Sequence, residues 1–314
     1  MNDDWRGLAG RALVISRPGE IGLADRTPPA AGPGETLVRP DLVGLCGTDL
    51  EIIAGEIDPA YTRYPIALGH EWTGIVEGDS SLAGQRVVVE GVIPCWHCAR
   101  CVRGETNLCE NYDEIGFTRD GAAAGRIAVP STLLHPIAAA VAAPDAVLTE
   151  PAAVVYRALS RAAVSPAGRV LVIGDGTIAL LAVYLVRLWS PAEVVLLGRR
   201  PAQAELAATA GATRFETSPD AAGAGYDLVI EAAGAVEAAA VALTAARRGA
   251  TVLLIGLPPH GQTIPLAVDD VVNNDLAILG SFSYTAAAWR DVVRLLNAGV
   301  ISPGFLVTDR KSVV

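Results

Sequence analysis

Four of the chain's five cysteines fall in one short stretch, spaced Cys95-x2-Cys98-x2-Cys101-x7-Cys109. Thiolates at that spacing can wrap a tetrahedral ion. Four cysteine ligands make a closed structural zinc site with no position left for substrate. Two other readings compete. One is cysteines that only fill a core, though Arg100, Arg103 and Glu105 stand among them. The other is an iron–sulfur cluster, but the ferredoxin run closes with a three-residue gap and a proline, whereas here the last gap is seven and Glu110 follows. The fifth cysteine, Cys46, lies in GLCGTDLEI; His70 and Glu71 lie in GHE, and Glu150 in TEP at a helix start. A cysteine, a histidine and one carboxylate, with water or substrate in the remaining position, make an open catalytic zinc site. Alone, Cys46 would read as a buried packing cysteine.

A second constellation is Gly174-Asp175-Gly176-Thr177-Ile178-Ala179, set between an apolar strand and a helix. Glycines there let the backbone approach a pyrophosphate, and the helix N-terminus supplies amide donors and the positive end of a dipole. The bland alternative is a glycine-rich turn without ligand. An NAD site needs an acid at the end of the following strand, to bond the ribose 2′-hydroxyl. VVLLGRRP instead puts Gly198 there, followed by Arg199 and Arg200. Glycine leaves room, and a guanidinium pairs with a 2′-phosphate. This favours NADP(H) over NAD(H), against the alternative of arginines on a solvated turn. Gly256 and Ser281, in the loops after later strands, are expected on the cofactor side.

These groups need two kinds of scaffold. The first 150 residues are rich in Gly and Pro, with strands expected at 11–16, 35–46, 72–77, 85–90 and 126–130. They read as a partly open β-barrel. From Thr149, expected to be an N-cap with Pro151 in the first turn, the texture changes. Apolar strands at 169–174, 193–198, 226–234, 250–256 and 276–284 alternate with helices, the pattern of a parallel sheet covered on both faces. Residues 285–299 read as an amphipathic helix ending at Gly299.

Composition sets the outer limits. Half the residues are hydrophobic and 18% charged, enough apolar content for a large core. A net charge of −10 argues against a nucleic-acid partner. The acidic opening Met1-Asn2-Asp3-Asp4 is unlike a signal peptide, and the most apolar run, 177–186, is too short to span a bilayer. A soluble, cytoplasmic protein with no membrane partner is expected, and in a reducing compartment clustered cysteines hold metal rather than pair.

The motifs CGTD, GHE, the four-cysteine loop, EP before a helix and GDGTIA after a strand occur in the order of the zinc-dependent medium-chain dehydrogenase/reductases, and the chain resembles that family from about residue 10 to residue 308. The resemblance implies an α/β protein: a chaperonin-10-like β-barrel catalytic domain over 1–150 carrying the structural zinc lobe 95–109, then a Rossmann doubly wound parallel sheet over 151–284 binding NADP. Residues 285–314 would return toward the catalytic domain, in a segment shorter than is usual in the family. It also implies one catalytic zinc, with Cys46 and His70 as ligands and either Glu71 or Glu150 as a third, and one structural zinc on Cys95, Cys98, Cys101 and Cys109. Thr48 matches the hydroxyl that passes on the substrate proton. Glu51 stands where many relatives carry a relay histidine. An acid at Glu150, where simple-alcohol enzymes have a cysteine, resembles the polyol and sorbitol branch, and CGTDLEI with its acid at Glu51 resembles the glucose 1-dehydrogenase group.

The implied activity is hydride transfer between NADP(H) and a secondary alcohol or ketone of a polyol, sugar or cyclitol, in a homodimer or homotetramer. Alternatives are a biosynthetic NADPH-dependent reductase of a larger ketone, or a dinucleotide-binding protein that has lost activity. Two local departures from the family pattern are DGAAAGRIAVP at 120–130, which lacks the usual aromatic and acid, and Tyr156, where a histidine or small residue is frequent.

Overall fold

A computed structural model describes residues 10–78, 80–162 and 164–309. The chain divides into two compact units, one made of residues up to Glu150 together with those from Tyr284 onward, the other of Pro151–Ser283.

The first unit is built on antiparallel sheets. Five strands lie in the order Ile127–Pro130, Glu35–Gly44, Glu71–Val76, Arg86–Val89, Leu134–Pro136. Val38, Trp72, Val76, Val87, Val89, Ile127 and Val129 form its core. Strand Glu35–Gly44 shows the period-2 burial of a sheet with one face covered. Its pairing with Glu71–Val76 shifts register between Pro40 and Leu42, next to a proline that has no N–H to give the ladder. Beyond that shift Gly44 pairs with Glu71. The chain running on to Cys46 therefore lies beside the chain arriving from His70. A side chain at 44 would displace the Glu71 carboxylate, since a Cβ there would stand 2.6 Å from Glu71 Oε2. A three-stranded sheet, Glu20–Asp25, Arg11–Arg17 and Ile66–Ala67, completes the β structure of this unit.

The chain from Tyr284 adds helix Ala286–Asn297 to the same unit. Thr285 caps it, its hydroxyl accepting from the Ala288 N–H at 3.2 Å. Buried Tyr284 accepts the Gly91 N–H at 2.8 Å and the Val92 N–H at 3.3 Å. The Ala286 N–H donates to Thr106 Oγ1 at 2.8 Å, which ties the helix start to the four-cysteine stretch.

The second unit holds a six-stranded parallel sheet in the order Arg214–Glu216, Glu193–Leu197, Arg169–Ile173, Tyr226–Glu231, Ala246–Leu254, Ala277–Gly280. The inner strands are buried runs of Val, Leu and Ile, as a sheet covered on both faces requires. The order reverses at Arg169–Ile173, so the turn Gly174–Gly176 sits at the switch point where such sheets bind dinucleotides. This is a doubly wound Rossmann sheet. Thr149, expected as an N-cap, is instead the first residue of helix Thr149–Arg161, and its hydroxyl donates to the Ala146 carbonyl at 2.7 Å.

Candidate metal centres and nucleotide site

Cys46 is the N-cap of the short helix Gly47–Ala54. Its N–H donates to Asp49 Oδ2 at 2.8 Å, so the helix's own acid fixes the cysteine's backbone. The other oxygen, Asp49 Oδ1, lies 3.4 Å from His70 Nδ1. On the far side of the ring, His70 Nε2 lies 3.3 Å from Cys46 Sγ. The imidazole thus has a neighbour at each nitrogen, Cys46 within hydrogen-bond reach of Nε2 and the Asp49 carboxylate near Nδ1 without a hydrogen bond to it, and both the ring and Asp49 are buried. Glu71 Oε1 is 4.0 Å from His70 Nε2, and the Phe117 ring centroid is 5.0 Å from that of the imidazole.

Electrostatics sharpen the picture. Burial raises the Cys46 thiol pKa, only partly offset by His70. Burial opposes a charged His70, yet Asp49 and Cys46 outweigh it and hold the imidazole well above its ordinary value. Glu71 and Glu114 are raised by burial. Glu150 is pushed to about 8 by burial first and by Glu71 next. One imidazole among a thiol and several sequestered carboxylates is a donor set whose charge suits a dication. A sulfur and a nitrogen sharing a tetrahedral zinc stand about 3.5 Å apart, from bond lengths of about 2.3 and 2.0 Å. The separation of 3.3 Å fits. With Asp49 at Nδ1, the ring presents Nε2 as its ligand atom.

Asp49 lies in the CGTD motif, where it holds the Cys46 backbone and stands beside His70. Sequence reasoning missed Glu114, which accepts from the Tyr112 hydroxyl, and Phe117. Neither carries a local signal, because only the fold brings 114–117 against His70. Thr48 is half-buried in the first turn of the helix after Cys46. Glu51 lies one turn on, its pKa raised by burial and then by Glu56.

The four clustered cysteines converge, one sulfur from each lying within 4.8 Å of the others. Cys95 and Cys101 sulfurs are 4.0 Å apart, close to the roughly 3.8 Å edge of a tetrahedron with zinc–sulfur bonds of about 2.3 Å. The N–H groups of Cys95, Cys98 and Cys101 each point at a cysteine sulfur at 3.4 Å. Such donors favour thiolate. Hydrogen bonds from Asn111 and the His97 backbone lead in bringing Cys95 down to about 5.

In the second unit Gly174 has a left-handed φ of +126°, and a Cβ there would stand 2.9 Å from the Ala232 carbonyl oxygen. Gly176 and Thr177 are exposed at the start of the ten-residue helix Thr177–Val186, with Ile178 half-buried behind them. Glu231, at the end of its strand, accepts the Ala233 and Gly234 N–H groups at 2.8 and 2.9 Å and so shapes the loop beside Gly256. Ser281 is engaged: its hydroxyl accepts from Arg157 at 2.9 Å. Arg200 is engaged too, by Asp175. Among the described residues, the Arg199 guanidinium makes no hydrogen bond or ion pair.

Residues 32–139 match the family model of the alcohol dehydrogenase GroES-like domain, and 177–298 that of the zinc-binding dehydrogenases. The chain is 30% identical to L-galactonate-5-dehydrogenase of Escherichia coli (strain K12), over 95% of this chain and 90% of that one. It is 28% identical to sorbitol dehydrogenase of Bacillus subtilis (strain 168), over 96% and 90%. Among solved structures, a zinc-binding dehydrogenase target from Sinorhizobium meliloti 1021 bound to NADP superposes with TM-score 0.87 at 30% identity, covering 93% of this chain and 89% of that one. An alcohol dehydrogenase (rspB) from E. coli CFT073 complexed with NADH gives 0.85 at 26%, over 93% and 89%. On the two family models and these relatives, and with a paired sulfur and imidazole, a four-cysteine lobe and a Rossmann turn in its structure, the chain belongs to the zinc-dependent alcohol dehydrogenase family of medium-chain dehydrogenase/reductase enzymes.

Proposed function

We propose that the protein transfers hydride reversibly between NADP(H) and the secondary alcohol or ketone carbon of a polyol, sugar or cyclitol. The observation that carries this reading is the 3.3 Å approach of Cys46 Sγ and His70 Nε2 amid buried carboxylates. The substrate class is supported by relatives named for sorbitol and L-galactonate, and by Glu150 in place of a cysteine. Cys46, His70 and one of Glu71 and Glu150 are the residues that would hold the working zinc; Cys95, Cys98, Cys101 and Cys109 would hold a structural one. When bound, zinc supplies Lewis-acid polarisation at the reacting oxygen and the nicotinamide exchanges hydride.

The remaining steps belong to the chain's own groups. Asp49, 3.4 Å from His70 Nδ1, favours the ring orientation that leaves Nε2 for the metal. The Thr48 hydroxyl takes the substrate proton and passes it outward. Glu51, three residues on, shares its helix face, and burial with the neighbouring Glu56 raises its pKa, which favours its taking up a proton. Gly174, Gly176, Thr177 and Ile178 frame the pyrophosphate, Gly198 leaves room for a 2′-phosphate, and Arg199 meets it. Gly256 and Ser281 shape the loops on the cofactor side.

Residues 1–150 act as the catalytic domain and 151–284 as the cofactor domain, in a cytoplasmic homo-oligomer. Among the described residues, no helix is long and apolar enough to cross a membrane. Metal analysis with a spectrophotometric NADP+ reduction screen over polyols, sugars and simple secondary alcohols tests the reading. Two zincs per chain and a rate on polyols are expected; about one zinc with no rate on any alcohol would refute it.

A further inference from the structure

One carboxylate ties the glycine-rich turn to the turn after the second strand. Asp175 Oδ2 accepts the backbone N–H groups of both Arg199 and Arg200, each at 2.8 Å. Its Oδ1 accepts Arg200 Nη2 at 3.0 Å, and the same nitrogen donates to the Asp175 carbonyl at 2.7 Å. The Asp175 side chain is only 10% exposed. Two successive N–H groups and a guanidinium converging on one point make an anion-binding nest. This nest lies at the end of strand Glu193–Leu197, where sheets of this topology receive the adenosine ribose. The donors that suit a ribose 2′-phosphate are therefore already occupied by an acid of the chain itself. Gly198 permits the arrangement: a Cβ there would lie 2.7 Å from Asp175 Cβ and 2.9 Å from Phe215 Cε2.

We propose that Asp175 is a specificity-determining residue that restrains the preference for NADP(H), by keeping Arg200 and the two backbone donors to itself and leaving Arg199 as the guanidinium that meets the 2′-phosphate. This inference deepens the NADP(H) reading above and rests on it. Removing the charge at 175 releases Arg200 toward the phosphate and removes a repelling carboxylate. Removing Arg200 alone leaves that carboxylate uncompensated beside the phosphate. The two substitutions therefore push cofactor choice in opposite directions, a result that general loosening of the turn would not give. NAD(H), which lacks the phosphate, is affected little by either.

The test is equilibrium titration of the intact protein with NADP+, NAD+, 2′,5′-ADP and 5′-AMP, followed calorimetrically, for wild type, Asp175→Asn, Arg200→Gln and Arg199→Gln. Asparagine keeps the shape and one acceptor oxygen. Asp175→Asn is expected to raise the ratio of NADP+ to NAD+ affinity about tenfold, the scale of one charge-assisted hydrogen bond. Arg200→Gln and Arg199→Gln are expected to lower it. An unchanged or lowered ratio in Asp175→Asn, with 2′,5′-ADP still binding more tightly than 5′-AMP, overturns the assignment of Asp175 while leaving the NADP(H) reading intact. Should wild type bind 2′,5′-ADP no better than 5′-AMP, the NADP(H) reading itself fails. If Asp175→Asn does not fold, Arg200→Gln decides, and an unmoved ratio there overturns the proposal.

Discussion

Asp49 accepts the Cys46 N–H with one oxygen and sets the other near the His70 ring. Asp49→Asn keeps the first contact and weakens the second. It should lower zinc affinity or turnover about 10- to 100-fold, as loss of such supporting groups does, measured by metal content and kcat. Cys46→Ser should abolish turnover while NADPH titration stays normal; retained turnover would refute a catalytic zinc at that position. Asp175 carries a pH signature. Burial works to raise its pKa, but Arg200 and the two N–H groups win and hold it below the ordinary aspartate value. Its contribution to stability is complete above the unfolded value and is lost as pH falls through the depressed one. The stability gap between wild type and Asp175→Asn should accordingly narrow in melts taken from pH 7 down toward about pH 3. At this scale the sequence shows residue types and little of their pairing. Cys46 and His70 stand out because few residue types bind zinc. The tie between Asp175 and residues 199–200 is invisible until two strands lie side by side.

Secondary-structure elements were legible in proportion to how deeply they are buried. Strands Arg169–Ile173 and Glu193–Leu197 are short unbroken apolar runs, and sequence reading places both within a residue. Strand Glu20–Asp25 went unseen, since it is largely exposed and has no alternation to betray it. Helix Gly47–Ala54 was hidden by its brevity and by a cysteine at its cap. Thr285, by contrast, announces helix Ala286–Asn297 in the sequence and caps it in the structure. Thr285→Ala should cost about 1 kcal/mol, seen as a lower denaturant midpoint with an unchanged slope. Tyr284→Phe should cost about 1–3 kcal/mol, because the buried Gly91 and Val92 N–H groups lose their acceptor.

At the scale of the molecule, the parallel sheet ends in an open edge. Strand Ala277–Gly280 has no neighbour on its outer side among the described residues, and Ile278, Phe282 and Val272 are exposed in that part of the chain. An unpaired, apolar edge is a surface for strand pairing across a two-fold axis. For the homo-oligomer proposed above, pairing at this edge predicts that Ile278→Lys shifts the protein toward monomer in sedimentation velocity; an unaltered mass would refute pairing there. The division of the chain has a further consequence, for synthesis. The Pro151–Ser283 unit is continuous and has all its strands once residue 283 has left the ribosome. The other unit is assembled from two separated stretches of the chain, so its first stretch emerges before the continuous unit yet stays incomplete until Tyr284 reaches Gly91 and Val92. A nascent chain arrested before codon 284 should therefore carry a protease-resistant cofactor unit behind a barrel that proteases still cut.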